Sequence, residues 1–151
     1  MSMSEARYEG LRLEHQLCFP LYACSRMVIK KYRPFLDAIN LTYTQYITMM
    51  VLWEEDCISV RDLGNRLFLD SGTLTPLLKS LEAKGFLRRY RSQEDERVLL
   101  VQLTEEGLAL REAAADVPAQ IAGCIALSPE EAQALYGILY KLLLGSDTTD
   151  E

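Results

Sequence analysis

Histidine is nearly absent from this sequence, and cysteine never occurs in a metal-binding cluster. The 151 residues contain one histidine, His15, and four cysteines, none of which forms a Cys-x-x-Cys pair. Because a zinc site needs clustered cysteine and histidine ligands, we expect neither a metal nor another cofactor. The cysteines are expected to be reduced thiols unless one of them is redox-active.

Long apolar runs are also missing. No stretch of about 18 apolar residues occurs, so we expect no membrane span. The first ten residues carry Glu5 and Glu9 without an apolar stretch, which is unlike a signal peptide, so a cytoplasmic location is expected. The chain has 49% hydrophobic and 25% charged residues, an ordinary globular composition, and its length fits one domain, residues 1–151.

Positive charge is scarce overall but unevenly distributed. The net charge is −6. Residues 61–97 nevertheless carry eight lysines and arginines against six acidic residues, whereas residues 98–151 carry two against nine. The central segment is therefore the candidate nucleic-acid surface, although charge alone is equally consistent with ordinary solvated faces.

An apolar stripe at helical spacing occurs in the N-terminal part of the chain. It comprises Leu13, Leu17, Leu21, Cys24 and Val28. It predicts a helix that extends to about Leu36. Pro20 favours a start close to Cys18 or Phe19, because proline is tolerated in a first helical turn and costly further in.

Two more helices follow from capping signals. Thr42 and Gln45 match a capping box, which predicts a helix through about Trp53. Ser59 is suited to cap a short helix from Val60 to Phe68.

The centre of the chain combines a helix pair with a hairpin. Asp70 or Ser71 is suited to cap a helix that stops at Gly85, and with the preceding helix this predicts a helix-turn-helix. Residues 86–91 and 98–103 then change to strand character, with a polar hairpin tip between them.

Two helices complete the chain. Thr104 caps the fifth, and Ser128 with Glu131 caps a sixth that runs to about Leu144, before a short tail at Ser146–Glu151. The predicted fold is mainly α with a small β-hairpin (α+β), a winged helix-turn-helix at about residues 57–103. Apolar helices flank this unit at about residues 10–40 and 105–145. Such helices at both ends predict a homodimer, although they would also suffice to complete a monomer core.

The second helix of the pair is the expected DNA-reading element. A helix fits the major groove and presents its N-terminal residues to base edges. Its outward residues are Ser71, Gly72, Thr73, Thr75 and Lys79. The hairpin adds Arg88, Arg89 and Arg91 on its first strand and Arg97 beside its tip. Arg97 would enter a minor groove while Asp95 holds its guanidinium, or the two would merely stabilise the tip.

The same segments resemble the MarR family of transcriptional regulators. The resemblance rests on Leu63-Gly64-Asn65-Arg66-Leu67, Leu69 to Leu78, Leu81-Glu82-x-x-Gly85 and Asp95-Glu96-Arg97. It implies an obligate dimer with interlocked terminal regions, which binds a pseudo-palindromic double-stranded operator. It also implies that Asp95 and Arg97 form the wing tip.

Cys18 is the candidate reactive thiol. A helix that starts near Phe19 places Cys18 at its positive end, which favours the nucleophilic thiolate, and thiolates react with peroxides to give sulfenic acids. A buried, inert cysteine is the alternative. Cys24 lies about 9 Å further along the helix, too far for a disulfide with Cys18, and we expect it in the core. Cys57 is expected to be structural.

A second resemblance concerns the N-terminal half. Gln16-Leu17-Cys18-Phe19, Leu21-Tyr22, Tyr32, Leu41-Thr42-Tyr43-x-Gln45-Tyr46 and Leu52-Trp53-Glu54 resemble the organic hydroperoxide resistance branch of the MarR family. This implies that Cys18 is a peroxide sensor and that Tyr32 and Tyr43 of the other subunit hydrogen-bond to it. It also makes Cys124 a candidate resolving cysteine.

Three functions follow as hypotheses. The first is a repressor that releases its operator when an organic hydroperoxide oxidises Cys18, with Cys124 or a small thiol completing a disulfide. The second is a MarR-type repressor released by a small phenolic or apolar acid. The third and least favoured is a thiol peroxidase, so we expect that the protein is not an enzyme.

Overall fold

The computed structural model of the chain describes residues 3–145, so the tail predicted at Ser146–Glu151 lies outside the described residues. Two single-turn 3-10 helices, Glu9–Leu11 and Leu13–His15, follow the first α-helix. The α-helices and strands of the described residues are α1 (Met3–Tyr8), α2 (Cys18–Asp37), α3 (Tyr43–Glu54), β1 (Ile58–Ser59), α4 (Val60–Leu67), α5 (Ser71–Ala83), β2 (Leu87–Arg91), β3 (Leu99–Leu103), α6 (Glu105–Ala114), α7 (Val117–Ala122) and α8 (Pro129–Gly145). The chain divides after Pro118 into two compact units.

The predicted caps set the helix starts. The Thr42 hydroxyl accepts from the Gln45 backbone N–H at 3.3 Å, and Gln45 Oε1 accepts from the Thr42 N–H at 3.0 Å, which completes the capping box. Ser59 and Asp70 cap α4 and α5, and Thr104 caps α6 in the same way. Each side chain satisfies an N–H that the first helical turn leaves without a backbone acceptor, so these predictions are confirmed.

The sheet has one strand more than the sequence predicted. β2 and β3 form the expected antiparallel hairpin, and Leu87 lies opposite Leu103. β1 pairs with the outer edge of β3, opposite Val101 and Leu100, which gives the order β1-β3-β2. A strand of two residues has no periodicity to detect, which explains why only β2 and β3 were predicted.

The core of the first unit joins the helix-turn-helix to α3 and the sheet. Its fully buried side chains include Met49, Leu52, Leu63, Leu74, Leu78, Leu81, Leu87 and Val101. α6 packs so closely against this core that a Cβ at Gly107 would collide with the Phe86 carbonyl oxygen. The Trp53 indole N–H donates to the Gly107 carbonyl at 2.9 Å, which fixes α3 against α6.

Two expectations about α2 have different outcomes. The helix begins at Cys18, and Pro20 lies in its first turn, as predicted. Cys24 is exposed rather than part of the core, so that prediction is wrong for the single chain. The reason is that the core reaches only the last turns of α2, at Leu36. The first half of the helix presents large apolar side chains to solvent, and Leu21 is 47% exposed.

The second unit contains α8, the predicted sixth helix. Its start is confirmed: the Ser128 hydroxyl accepts from the Glu131 N–H at 3.1 Å, and a Glu131 carboxylate oxygen accepts from the Ser128 N–H. Large apolar residues of α8 are exposed, among them Leu135, Tyr136, Ile138 and Leu142. α1 and α7, each six residues long, were not predicted, since neither is long enough to show a helical stripe.

Candidate DNA interface and thiol site

α5 has one buried and one exposed face. Leu74, Leu78 and Leu81 point into the core, each with at most 1% exposure. The opposite face and the entry turn carry the residues selected from the sequence. Ser71, Gly72, Thr73 and Lys79 are exposed, and half-buried Thr75 donates its hydroxyl to the Ser71 carbonyl at 2.8 Å. The helix therefore offers small polar groups and one ammonium to a groove.

Asp70 fixes the N-terminal end of this helix. Its Oδ1 accepts from the Thr73 N–H at 2.7 Å. The hydrogen bonds from Thr73 lower the pKa of Asp70 below its ordinary value of 3.8. The cap is therefore ionised at physiological pH and holds Ser71 and Thr73 at the helix entry.

The hairpin tip carries a preorganised arginine. Arg97 Nε donates to Asp95 Oδ1 at 3.0 Å and Arg97 Nη2 donates to Asp95 Oδ2 at 3.1 Å, a bidentate pair. These bonds lower the pKa of Asp95. The Arg97 side chain is 91% exposed, whereas that of Asp95 is 41% exposed. The pair therefore orients the guanidinium and leaves it exposed. This geometry fits both alternatives given above, an arginine held ready for a minor groove and an ion pair that only stabilises the tip.

A groove of about 970 Å³ lies between the start of α4, the start of α5 and the wing tip. Ser71 of α5 and Arg97 of the wing tip both line it. Arg61 and Asn65, both exposed on α4, also line it and were not selected from the sequence. Their signal was available, because the first helix of a helix-turn-helix crosses the DNA backbone.

The three arginines of β2 have different surroundings. Arg89 is 17% exposed and donates to both carboxylate oxygens of Glu82, through Nη2 at 3.2 Å and its backbone N–H at 2.9 Å. Arg88 donates to Gln102 Oε1 at 2.6 Å and lies over the Tyr90 ring. Arg91 is exposed at the end of the strand. Arg89 thus faces α5 and is not brought together with Arg97.

Cys18 is the first residue of α2 and is exposed. The segment before it is held by its own side chains. His15 Nδ1 lies 3.0 Å from the Glu9 carbonyl oxygen, and Gln16 Nε2 donates to the Gly10 carbonyl at 2.7 Å. The thiol therefore lies at a helix N-terminus, as the sequence predicted, and is open to a reactant.

Tyr32 and Tyr43 pack against each other with ring centroids 4.9 Å apart. Tyr46, which sequence reasoning did not select, lies 5.9 Å from Tyr32. Burial raises the pKa of all three phenols, so each keeps its O–H for donation. Cys18 lies fourteen residues before Tyr32 on one helix, or about 21 Å. One protomer therefore cannot bring its own thiol and its own Tyr32 together.

The remaining cysteines differ in their contacts. Cys124 follows α7, is exposed, and donates its thiol to the Gln120 carbonyl at 3.5 Å. Cys57 is exposed, has a φ of 62°, and its Sγ lies 3.0 Å from the Tyr90 hydroxyl. Within residues 3–145, no three His, Cys, Asp or Glu side chains form a metal-binding group. In the same residues no helix has both the length and the apolar character to cross a membrane.

Comparison with known proteins agrees with this architecture. The profile of a family described as transcriptional regulator SarA/Rot matches residues 30–113. The organic hydroperoxide resistance transcriptional regulator of Bacillus subtilis is 48% identical over 139 residues, which cover 92% of this chain and 95% of that relative. This chain belongs to the MarR/SarA family of transcriptional regulators.

Other MarR/SarA members extend the comparison. SarZ of Staphylococcus aureus is 43% identical over 124 residues, which cover 82% of this chain and 84% of SarZ. The solved structure of reduced AbfR bound to DNA shares 35% identity, with a TM-score of 0.76, and covers 93% of this chain and 98% of AbfR. These relatives are transcriptional regulators rather than enzymes, as the sequence analysis expected.

Proposed function

We propose that this MarR/SarA protein is a DNA-binding repressor that senses organic hydroperoxides through Cys18 and then releases its operator. The observation that carries the proposal is the placement of Cys18: an exposed thiol at the N-terminus of α2, preceded by a segment held by its own side chains. The relative from Bacillus subtilis is named for organic hydroperoxide resistance, which is the same chemical class.

The sensing site is proposed to form between two copies of the chain. The Tyr32–Tyr43 pair lies about 21 Å along α2 from Cys18 of the same protomer. The first half of α2, in the first unit, has exposed apolar side chains that a second copy would cover, and so, separately, does α8 in the second unit. In the dimer, Tyr32 and Tyr43 of one copy would donate hydrogen bonds to Cys18 of the other.

Oxidation is a two-electron step. The Cys18 thiolate attacks the distal oxygen of the hydroperoxide, an S–O bond forms and the O–O bond breaks. The departing alkoxide takes a proton, so the products are Cys18 sulfenic acid and an alcohol. A second thiol then attacks the sulfenic sulfur, which gives a disulfide and water. Cys124 of the other copy or a small cellular thiol is the proposed second thiol.

The proposed DNA release depends on how a dimer spaces its two DNA-binding units. Two copies would place two α5 helices and two wings on half-sites about 34 Å apart, one turn of DNA. Reaction at Cys18 changes a residue at the proposed dimer surface, and a small change there alters the spacing of the two α5 helices and their wings. A pseudo-palindromic duplex then fits poorly.

The test compares Cys18→Ser with Cys24→Ser, since both residues are exposed on α2. Both variants should bind a duplex selected from a random pool by the reduced wild type. Cumene hydroperoxide should release DNA from wild type and Cys24→Ser but not from Cys18→Ser. Equal release from all three would reject Cys18 as the sensor.

The same material separates the two other hypotheses. Release of the Cys18→Ser protein by salicylate-like compounds would indicate a phenolic or apolar-acid effector. Continued consumption of peroxide by substoichiometric protein would indicate a thiol peroxidase, whereas one oxidation per Cys18 is expected of a sensor.

A further inference from the structure

Gln45 is a buried polar residue with an unusually complete set of contacts. It is 4% exposed, yet three hydrogen bonds satisfy its amide. Oε1 accepts from the Thr42 N–H at 3.0 Å and from Lys84 Nζ at 2.8 Å, and Nε2 donates to the Ser80 hydroxyl at 2.8 Å. A buried amide without these contacts would destabilise the fold, so the position of Gln45 is coupled to both α3 and α5.

Lys84 extends the same contact to a third element. Its ammonium also donates to the Asn40 carbonyl at 2.7 Å. Asn40 has a φ of 57° and lies in the turn between α2 and α3. Lys84 itself is the C-cap of α5, next to the wing. One side chain therefore joins the α2–α3 turn to the end of the reading helix.

The contacts of Gln45 and Lys84 lie beside the tyrosine pair. Tyr32 is on α2 and Tyr43 is the first residue of α3, so the α2–α3 turn separates the two elements that hold them. Gln45 is two residues after Tyr43 on the same helical turn. Any displacement of Tyr43 that moves the start of α3 must move Gln45, and its hydrogen bonds reach α5 directly.

We propose that Gln45 and Lys84, with Ser80, are positioning residues that transmit the state of the thiol site to the DNA-reading helix. This polar clamp comprises the hydrogen bonds of Gln45 to Ser80 and of Lys84 to Gln45 and Asn40. The inference rests on the proposed function and specifies how its two ends are coupled. The clamp includes neither the reacting thiol nor the residues of α5 selected to contact DNA, which are Ser71, Gly72, Thr73, Thr75 and Lys79.

The experiment removes the clamp from the α5 side and leaves the capping box of α3 intact. The double variant Ser80→Ala/Lys84→Met loses the Ser80 hydroxyl that accepts from Gln45 and the Lys84 ammonium that donates to Gln45 and Asn40. Lys84→Arg retains a charged donor of similar reach and serves as the matched control. For each full-length protein, affinity for the same selected duplex is measured before and after cumene hydroperoxide, and Cys18 oxidation is followed by mass spectrometry.

We expect the double variant to oxidise Cys18 at the wild-type rate and, when reduced, to bind the duplex nearly as wild type does. The fold-loss of DNA affinity on oxidation should be smaller than that of the wild type by roughly threefold or more. Lys84→Arg should retain most of the wild-type loss of affinity on oxidation. Comparing each variant with its own reduced form removes the direct effect of the lost lysine charge on DNA affinity.

Two results would overturn the clamp. One is a wild-type drop in affinity in the oxidised double variant. The other is a lower melting temperature and weaker reduced-state binding with an unchanged ratio of the two affinities, which is what a merely structural contact gives. A wild-type protein that keeps its DNA after Cys18 oxidation would instead contradict the proposed function itself.

Discussion

Cys18 and Tyr32 lie on the same helix, fourteen residues apart, which corresponds to about 21 Å of helical rise. Tyr32 is packed against Tyr43, the first residue of the next helix. A thiol and a phenol at this separation cannot share a hydrogen bond within one chain. The proposed sensing site therefore needs a second copy, and this requirement is directly testable.

The first prediction concerns mixed dimers. One protomer carries Cys18→Ser and the other carries Tyr32→Phe/Tyr43→Phe, purified as a heterodimer by two affinity tags. If the site forms between copies, one intact cysteine faces two intact tyrosines. Hydrogen bonds to a charged group contribute about 1.5–3 kcal/mol, so Cys18 should oxidise about 10- to 100-fold faster than in the Tyr32→Phe/Tyr43→Phe homodimer. Stopped-flow detection of sulfenic acid measures the rate.

A sensing site formed by Cys18, Tyr32 and Tyr43 of the same chain would give the opposite result. The heterodimer would then contain no complete site, and its remaining cysteine would react as slowly as in the double-phenylalanine homodimer. A Cys18→Ser homodimer mixed with wild type provides the control for tag and exchange effects.

The second prediction concerns the wing. Arg97→Ala should lower affinity for the selected duplex by about 10- to 100-fold and reduce the salt dependence of binding by about one ion per wing. Arg97→Lys should keep the salt dependence but lose affinity, because an ammonium cannot form the bidentate pair with Asp95. Titration by fluorescence anisotropy at several salt concentrations distinguishes these outcomes. An unaltered salt slope in Arg97→Ala would remove Arg97 from the interface.

The third prediction separates Arg89 from Arg97. Arg89 is 17% exposed and paired with Glu82 across the junction of α5 and β2. Arg89→Gln should destabilise the fold because it removes the ion pair with Glu82. The loss should be limited to about 1–2 kcal/mol, since Glu82 is itself partly exposed and keeps some hydration. The salt slope of DNA binding should stay close to wild type. Urea unfolding and anisotropy together measure both quantities, and a stable variant with a reduced slope would restore Arg89 as a DNA contact.

The fourth prediction is a pH dependence at the cap of α5. The pKa of Asp70 is lowered below its ordinary 3.8 in the folded protein. Ionised Asp70 therefore contributes stability that is fully present above about pH 4 and is lost as the pH falls through the lowered folded-state pKa. Asp70→Asn keeps a capping oxygen but has no proton to gain.

Thermal unfolding between pH 3 and pH 7 checks this sign. Wild type and Asp70→Asn should melt at similar temperatures above pH 5, and the wild type should lose more of its stability toward pH 3. Asp70→Ala, which has no capping oxygen, should melt several degrees lower than Asp70→Asn across the whole pH range. A wild-type curve parallel to that of Asp70→Asn at low pH would contradict the assigned cap.

Local signals predicted most element boundaries. Thr42, Ser59, Asp70 and Thr104 cap helices where the sequence placed them, because a capping hydrogen bond spans only three residues. The hairpin was predicted for a similar reason, since two short runs of strand character, residues 86–91 and 98–103, flank a polar tip. β1 was missed because its pairing with β3 joins residues more than forty positions apart.

Side-chain surroundings were less predictable. The sequence places Arg88, Arg89 and Arg91 on one strand and cannot show that Glu82 turns Arg89 into an internal ion pair. It shows Cys24 on an apolar stripe but not that the core of the chain ends before that part of α2. Burial depends on what packs against a helix, and the periodicity of the helix alone cannot supply that.

The sequence by itself determined the winged helix-turn-helix, which follows from caps and periodicity, and the position of Cys18 at a helix start, which follows from the apolar stripe and Pro20. Tertiary structure decided which arginines stay exposed, how Tyr32 meets Tyr43, and that Gln45 and Lys84 join the start of α3 to α5. The physical reason is range. Capping and periodicity act over a few residues, whereas an ion pair, a ring contact or a buried amide joins elements that only the folded chain brings together.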